Sequence, residues 1–350
     1  MKKRGTGIGC MWYGIGNTGL RNPAAAFVEW LDDGTANLLV GCADIGQGSD
    51  TALAQIVAEE LGISAENVMV TSADTMVTPE GGATSASRQT YISGNAARLA
   101  AKEAKQVAIA EAKEMLKTTG NVDFSRGVVV VDGKPGELSV KEVLGSCRMK
   151  GKLTLGHGWF NPATTGLDTA TGVGSPYGTY AFATQVAEVE VDTETGKVEV
   201  LRLVASHDVG KAINPQLVQA QIEGGSVMGV GYALLEEINV SGGRITNPNF
   251  DAYLLPTALD TPEIYSFIVE DHEPTGPFGA KGVGEPALIP TAAAIANAVY
   301  DAIGVRIYSL PISPERVLQA LAEKKNEQKP GNCSGPVYAI CSIGVEESKS

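Results

Sequence analysis

Apolar and polar residues alternate in two separate regions of the chain, and each region predicts a pair of antiparallel strands. Residues 23–42 alternate on both sides of Asp33-Gly34, a dipeptide that favours a tight hairpin turn. Residues 185–204 alternate in the same way on both sides of a polar turn at 192–197. Alternation of this kind is typical of strands with one buried face. We therefore expect one hairpin in each half of the chain.

Each hairpin is followed by a glycine-containing loop and then by residues with helical spacing. The predicted helices cover residues 51–61, about 95–116, 139–144, about 216–236, 291–303 and a segment that starts at Ser313-Pro314. Short strands are predicted at 68–70 and 128–131. Residues 156–180 are rich in Gly, Thr and Pro and predict a long loop.

The same order of elements in both halves predicts an α+β fold built from duplicated strand–helix units. The two similar halves are expected at about 1–178 and 179–326. The remaining segment, 327–350, is polar and contains Lys-Pro-Gly-Asn. We expect it to form a weakly ordered tail.

Glycine is the unusual feature of the composition, because 42 of the 350 residues are glycine and about 7% is usual. Glycine inside a helix costs roughly 1 kcal/mol relative to alanine. The predicted helix at 216–236 nevertheless contains four of them, Gly224, Gly225, Gly229 and Gly231. We expect this helix to pack its backbone closely against a neighbouring element.

Charge and cysteine content exclude several classes of function. The formal net charge of −13 disfavours a nucleic-acid partner, because binding to phosphates requires a basic surface. No run of 18 apolar residues predicts a membrane span. The five cysteines are scattered without a CxxC pair, which disfavours a disulfide framework, a zinc site and an iron–sulfur cluster. A cytoplasmic location is expected.

Three glycine-rich loops precede predicted helices, at residues 44–49, 81–87 and 281–285. Helix N-termini present unpaired N–H groups and suit phosphates and other anions. Each loop taken alone is also consistent with a simple connector, because glycine and serine are common in turns. None of the loops matches a Walker motif or a dinucleotide-binding GxGxxG motif.

Glu285 is the most informative candidate residue, because it lies between Gly284 and Pro286 in an apolar segment. A partly desolvated carboxylate would suit a general base, and a solvated helix-capping glutamate is the alternative. Gln47 and Gln221 could hydrogen-bond a heterocycle or an oxo group, although each taken alone is more typical of a surface or helix-contact residue. No HExxH or GxSxG motif predicts a side-chain metal site or a serine nucleophile.

Read together, the loops resemble a known family. The motifs occur in the order Gly46-Gln47-Gly48, Thr84-Ser85-Ala86-Ser87, Asn214-Pro215 with Gln221-Ile222-Glu223-Gly224, and Gly282-Val283-Gly284-Glu285-Pro286. This set, over about residues 3–321, resembles the second molybdopterin-binding domain of the xanthine dehydrogenase and aldehyde oxidoreductase family. The segment 11–20 further resembles the medium molybdopterin subunit of the nicotinate dehydrogenase branch.

The resemblance implies a role for each matching residue. Glu285 would be the base that activates a metal-bound hydroxide, and Gln221 would contact the cofactor near the metal. The remaining cofactor-binding residues would be Gln47 with its neighbours Gly46 and Gly48, the loop serines Ser85 and Ser87, and the loop residues Gly282, Val283 and Gly284. Tyr13 would contact substrate, with plain packing as the alternative. Asn17 stands where xanthine- and aldehyde-type members have a stacking phenylalanine.

The resemblance also implies a cofactor and partner chains. The cofactor would be molybdopterin in its cytosine dinucleotide form, with molybdenum bearing oxo, hydroxo and sulfido or selenido ligands. A large molybdopterin subunit, an FAD subunit and a [2Fe–2S] subunit would complete an enzyme that hydroxylates a small, nicotinate-like N-heterocycle with oxygen derived from water. The chain alone would be inactive.

Other functions remain open at the level of sequence. Within the family, a purine (xanthine) or aldehyde hydroxylase subunit is the main alternative, and carbon monoxide oxidation is less favoured. A non-catalytic cofactor-binding scaffold and a standalone sugar- or nucleotide-binding module are alternatives from other classes.

Overall fold

The computed structural model describes residues 1–18 and 20–327 and contains there two four-stranded sheets, two smaller sheets and six α-helices. The helices are α1 (Ser49–Leu61), α2 (Gln89–Leu116), α3 (Val140–Met149), α4 (Pro215–Leu234), α5 (Ile289–Ile303) and α6 (Pro314–Glu327). The strands are β1 (Lys2–Ile15), β2 (Ala24–Trp30), β3 (Ala36–Val40), β4 (Val68–Ser72), β5 (Val122–Ser125), β6 (Val128–Val131), β7 (Lys134–Ser139), β8 (Leu155–Phe160), β9 (Thr179–Asp192), β10 (Val198–Asp208), β11 (Val240–Ser241), β12 (Arg244–Ile245) and β13 (Glu263–Val269). The predicted α+β class is confirmed. Glu327 ends α6, and the rest of the predicted tail lies outside the described residues.

The first large sheet has the order β4-β3-β2-β8 and contains the first predicted hairpin. β2 and β3 pair antiparallel, and the chain turns between them at Gly34, whose φ of +88° favours glycine. Asp33 stabilises this turn, because its carboxylate accepts a hydrogen bond from the backbone N–H of Thr35 at 2.9 Å. α1 connects β3 to β4, which pair in parallel.

The second large sheet has the order β1-β9-β10-β13 and contains the second predicted hairpin, β9 with β10. α4 lies between β10 and β13, which pair in parallel. β1 pairs antiparallel with β9 from Lys2 to Ile15. The predicted division at residue 178 is therefore wrong for this strand, because residues 2–15 complete the second sheet. β1 and β9 pair although they are far apart in sequence, and the alternation of residues within one segment does not reveal such a partner.

The predicted loop at 156–180 is wrong at its start, because β8 occupies Leu155–Phe160 as an edge strand of the first sheet. Gly156 and Gly158 face α2 on this strand, and a Cβ at either position would collide with the α2 backbone. Glycine takes the positions where apolar side chains would normally mark the buried face. The strand consequently carries no alternating pattern that sequence analysis could detect.

Two clusters of buried residues form the core, one around each large sheet. α2 covers the first sheet with buried alanines, and α5 covers the second sheet in the same way. α4 packs closely against its neighbours at three of its four glycines. The close approaches are those of Gly225 to Ala287, Gly229 to Thr291, and Gly231 to Glu236 and Pro256. Gly224 has no neighbour within 4 Å of a Cβ position, so the expected close packing is wrong there.

No helix within residues 1–18 and 20–327 combines the length and the apolar character needed to cross a bilayer.

α3 begins at a capping box, in which Ser139 accepts from the N–H of Glu142 and the Glu142 carboxylate accepts from the N–H of Ser139. This helix extends beyond the predicted range, 139–144, to Met149.

Candidate active site

Four loops meet around one cavity of about 290 Å³ between the two halves. Three of them are the predicted glycine-rich loops, and the fourth leads from β10 into α4. The predicted site residues that line the cavity are Gln47, Gly48, Ser85, Ser87, Gln221, Gly282, Val283, Gly284 and Glu285. Gly46 and Tyr13 do not line it. The fold thus assembles most of the predicted site from segments that are as much as 238 residues apart, as the interval from Gln47 to Glu285 shows.

Asp44 organises the loop that precedes α1. Its carboxylate accepts hydrogen bonds from the backbone N–H groups of Gly46, Gly48 and Asp50, at 2.8, 3.4 and 3.1 Å. Although burial opposes it, this set of backbone donors lowers the pKa of Asp44 below its ordinary value. Gly46 and Gly48 adopt φ values of +103° and +83°, which only glycine takes without strain. Gly46 therefore serves the turn rather than the cavity wall.

Gln47 reaches the cavity, but its amide is held by its own loop. The amide nitrogen donates to the Ala43 carbonyl at 3.2 Å and to Ser49 Oγ at 2.8 Å. The amide oxygen accepts from the N–H of Ile45 at 2.7 Å. The side chain is consequently fixed in one orientation against the start of α1.

Glu285 is half-buried and accepts hydrogen bonds from a different loop. Ser87 Oγ donates to its Oε2 at 2.8 Å, and the Ala86 N–H donates to its Oε1 at 3.0 Å. Ser87 Oγ also accepts from the backbone N–H of Glu285 at 3.0 Å. The N-terminal cap of α5 is Leu288, whose side chain makes no capping hydrogen bond, and the Glu285 carboxylate is instead held by the loop before α2. Glu285 is therefore not a solvated helix cap.

Tyr13, at the end of β1, donates its hydroxyl to Glu285 Oε2 at 2.5 Å. Burial and this hydrogen bond raise the pKa of the Tyr13 phenol, which keeps it protonated as a donor. Tyr13 lines a second cavity of about 440 Å³, together with Trp12, Asn17 and Tyr177. It thus connects the Glu285 carboxylate to this second cavity, which shares no lining residue with the cavity between the four loops. Its contact with Glu285 is more specific than plain packing.

The loop before α2 has an uncommon backbone, because Ala86 and Ser87 both have φ values near +50°. Arg88 stabilises this loop through hydrogen bonds to its main-chain carbonyls. Its buried guanidinium donates to the carbonyls of Gly81 and Ala83 at 2.5 and 3.1 Å. Burial lowers the pKa of Arg88. Arg88 had no predicted role, because its acceptors are main-chain carbonyls, which no residue type identifies.

Lys281 was also missed as an anchor. Its Nζ lies 2.6 Å from Asp208 Oδ2 at the end of β10, and both side chains are buried. A buried charge requires a charged partner, so this pair fixes the start of the loop that carries Glu285. The same loop touches the loop before α2 at Gly282, where a Cβ would collide with the Ser87 carbonyl.

The lining of the cavity between the four loops combines apolar contact area with hydroxyl, amide and backbone groups, which suits a cofactor with a flat organic portion. A Cβ added at Gly284 would lie 3.7 Å from Ser87 Oγ and 3.8 Å from Gln221 Oε1. The absent side chain thus leaves space beside two polar groups that line the cavity. Lys211 also lines the cavity, with its ammonium 3.0 Å from the Glu270 carboxylate. Hydroxyl, amide and ammonium groups are the donors that a pterin with a phosphate would require.

Comparison with known proteins agrees with this geometry. Residues 1–262 match the family model of the molybdopterin cofactor-binding domain. A putative xanthine dehydrogenase molybdenum-binding subunit of Escherichia coli is 36% identical over 91% of this chain and 42% of its own length. The gamma subunit of a 6-hydroxypseudooxynicotine dehydrogenase complex of Paenarthrobacter nicotinovorans is 34% identical over 90% of this chain and 39% of its own length.

The solved structure of an aldehyde oxidoreductase from Desulfovibrio gigas superimposes with a TM-score of 0.77 at 31% identity, over 92% of this chain and 33% of that one. This chain spans well under half the length of each of these relatives. The expected family is confirmed, whereas the nicotinate branch stays a prediction. The chain belongs to the molybdopterin cofactor-binding domain family, among relatives named as xanthine dehydrogenase and aldehyde oxidoreductase.

Proposed function

We propose that this chain supplies one part of the active site of a multi-subunit molybdenum hydroxylase that hydroxylates a nicotinate-like N-heterocycle with oxygen from water. The observation that carries the proposal is the position of Glu285. Its carboxylate faces a cavity lined by the predicted cofactor-binding loops and is held by Tyr13, Ala86 and Ser87. A general base must be fixed within hydrogen-bond reach of the proton that it removes.

When bound, the molybdenum of the cofactor would supply an oxygen derived from water and accept the two electrons removed from the substrate. Glu285 would accept the proton released in that step on its carboxylate. Ser87 and Ala86 would keep the carboxylate in place before and after it takes the proton. Gln221 would bind the cofactor from the α4 side, opposite Ser87. The fixed amide of Gln47, the hydroxyl of Ser85 and the backbone of Gly282, Val283 and Gly284 would complete the binding surface.

The proposed complex includes a large molybdopterin subunit, an FAD subunit and a [2Fe–2S] subunit, and the cytosine dinucleotide form of the cofactor. The N-heterocycle is supported by the segment 11–20 and by the similarity to a subunit of 6-hydroxypseudooxynicotine dehydrogenase. The similarity to a xanthine dehydrogenase subunit equally supports a purine hydroxylase, which is the second candidate.

The role of Glu285 is tested by Glu285→Gln in the complex purified from its source organism with the chains that associate with it. The variant should keep its molybdenum and pterin content and lose about 10²- to 10⁴-fold in kcat, because a general base contributes this much. Glu66→Gln, an exposed change on the first half, is the matched control and should keep the full rate. A Glu285→Gln complex with full metal content and wild-type turnover would reject the assigned base.

The substrate is tested separately by comparing kcat/KM for nicotinate, xanthine and an aromatic aldehyde, with an artificial electron acceptor. Preference for nicotinate, with incorporation of ¹⁸O from labelled water, supports the proposal. Preference for xanthine or the aldehyde selects the corresponding alternative. A metal-loaded complex that turns over none of these three compounds and no other heterocycle offered supports the alternative of a non-catalytic cofactor-binding scaffold.

A further inference from the structure

A buried amide on β9 connects the elements that carry the candidate catalytic residues. Gln185 is fully buried, and so are the side chains around it. Its amide nitrogen lies 2.9 Å from the Ala287 carbonyl, 3.2 Å from Ser226 Oγ and 3.2 Å from His207 Nε2. Its amide oxygen accepts from Thr291 Oγ1 at 2.7 Å. One side chain thus contacts β10, α4, α5 and the segment before α5.

The contacts of Gln185 lie where α4 crosses the start of α5. A Cβ at Gly225 would lie 2.6 Å from the Ala287 Cβ, and a Cβ at Gly229 would collide with Thr291. Gln221 is one helical turn before Gly225, and Glu285 is two residues before Ala287. The separation of these two cavity residues therefore depends on how closely α4 packs against the Ala287–Thr291 segment.

An amide meets the chemical requirements of this position and an apolar side chain does not. The Ala287 carbonyl needs a donor, and the Thr291 hydroxyl needs an acceptor at the same place. Burial lowers the pKa of His207 to about 4, so its ring is neutral, and its Nε2 lies 3.2 Å from the Gln185 amide nitrogen. An apolar replacement would leave buried polar groups without partners, and the segment would shift to find others.

We propose that Gln185 is a positioning residue, which holds the Ala287 carbonyl and thereby sets the Glu285 carboxylate at its working distance from the Gln221 side of the cavity. The inference rests on the proposed function, because it assigns Glu285 to catalysis. Gln185 itself does not line the cavity and acts only through the backbone before α5. A small displacement of a catalytic group is enough to slow a reaction strongly.

The test compares Gln185→Leu, Thr291→Val and their double variant in the purified complex. Gln185→Leu should lower kcat by about 10- to 100-fold with little change in KM, and should move the acidic limb of the kcat–pH profile. Thr291→Val keeps the shape of its side chain and removes only the donor that orients the amide, so it should give a smaller loss. The double variant should match Gln185→Leu, because both changes break one network.

Two further measurements separate positioning from general loss of stability. Val299 is a buried core residue of α5, the helix that also carries Thr291, and it does not contact the Gln185 amide. Val299→Ala should lower the melting temperature and leave kcat and its pH profile unchanged. Amide exchange of residues 282–291 in the full chain should be faster in Gln185→Leu than in Val299→Ala, without any need for cofactor. If Gln185→Leu does not fold, Thr291→Val provides the same readouts.

The inference is overturned if both Gln185→Leu and Thr291→Val keep kcat within twofold while Glu285→Gln is inactive. It is also overturned if Val299→Ala slows turnover as much as they do. Wild-type turnover by Glu285→Gln would instead overturn the proposed function. In that case the exchange measurement still decides whether Gln185 holds the segment, so the two failures are distinguishable.

Discussion

The two halves of the molecule use the same scaffold for different chemistry. The sheets β8-β2-β3-β4 and β1-β9-β10-β13 have the same pairing, with two antiparallel contacts followed by one parallel contact. In each sheet a helix connects the two parallel strands, α1 in the first and α4 in the second. A second helix, α2 or α5, then covers the sheet. The duplication expected from the order of elements is therefore present in the strand pairing.

The two halves also solve one packing problem in the same way. The outer strand of each sheet has glycines facing an alanine-rich helix, Gly156 and Gly158 on β8 and Gly5, Gly7 and Gly9 on β1. Without side chains at these positions, helix and strand backbones come into direct contact. The difference lies in connectivity, because β8 comes from within its own half and β1 comes from the other end of the sequence. That long connection places Tyr13 beside Glu285.

The halves differ most where they meet. The loops before α2 and before α5 occupy equivalent places in the two halves and contact each other directly. The first supplies the donors Ala86 and Ser87, and the second supplies the acceptor Glu285. A duplicated scaffold can thus form an asymmetric site, because equivalent loops carry different residues and complement each other.

The largest effect is expected from breaking the packing that the halves share. Gly7→Ala and Gly158→Ala should each lower the free energy of unfolding by about 3 kcal/mol, because the added Cβ would collide with helix backbone. Gly145→Ala in α3, where a Cβ has no neighbour within 4 Å, should instead stabilise by about 0.5–1 kcal/mol. Urea unfolding measures all three. A mild effect at Gly7 with a severe one at Gly158 would show that the two strands are not equivalent.

A smaller effect should distinguish the cores of the halves. His207 is buried in the second half, and burial lowers its pKa to about 4. Below pH 6.5 the unfolded chain binds a proton at His207 that the folded chain binds only near pH 4. This contribution to the free energy of unfolding is therefore complete above pH 6.5 and is lost as the pH falls towards 4. By pH 5 the loss should be about 2 kcal/mol.

His207→Leu should remove this dependence, since Gln185 keeps Ser226 and Ala287 as acceptors. The control is His157→Gln, at an exposed histidine of the first half, and it should leave the pH dependence of the unfolding free energy unchanged. Urea midpoints at pH 7, 6 and 5 test this. An equal pH dependence in the His207→Leu variant would assign the acid sensitivity to other groups.

The smallest effect concerns the contact between the equivalent loops. Ser87→Ala removes a donor to the Glu285 carboxylate and an acceptor for its backbone N–H. In the complex it should slow kcat by about tenfold, equivalent to ~1.4 kcal/mol, with the melting temperature little changed. Ser64→Ala, an exposed serine of the first half, is the matched control. Full activity in Ser87→Ala would show that Ala86 and Tyr13 suffice to hold Glu285.

Local patterns along the chain were sufficient to identify the family, both hairpins, the main helices and the three loops that reach the cavity. These features depend on local rules, namely the spacing of apolar residues, turn residues such as Asp33-Gly34 and short motifs such as that around Glu285. Such rules act within a few residues of each other. They did not reveal β1 or β8, whose glycines leave no apolar pattern on the buried face.

The folded arrangement of the chain sets which segments pair and which polar groups meet. It brought Ser87 and Tyr13 to Glu285, paired Lys281 with Asp208, and placed Gln185 under the start of α5. In each case the partner is distant in sequence or is a backbone group that any residue could provide. The free energy of such contacts depends on burial and on distances of about 3 Å, which the order of residues along the chain does not specify.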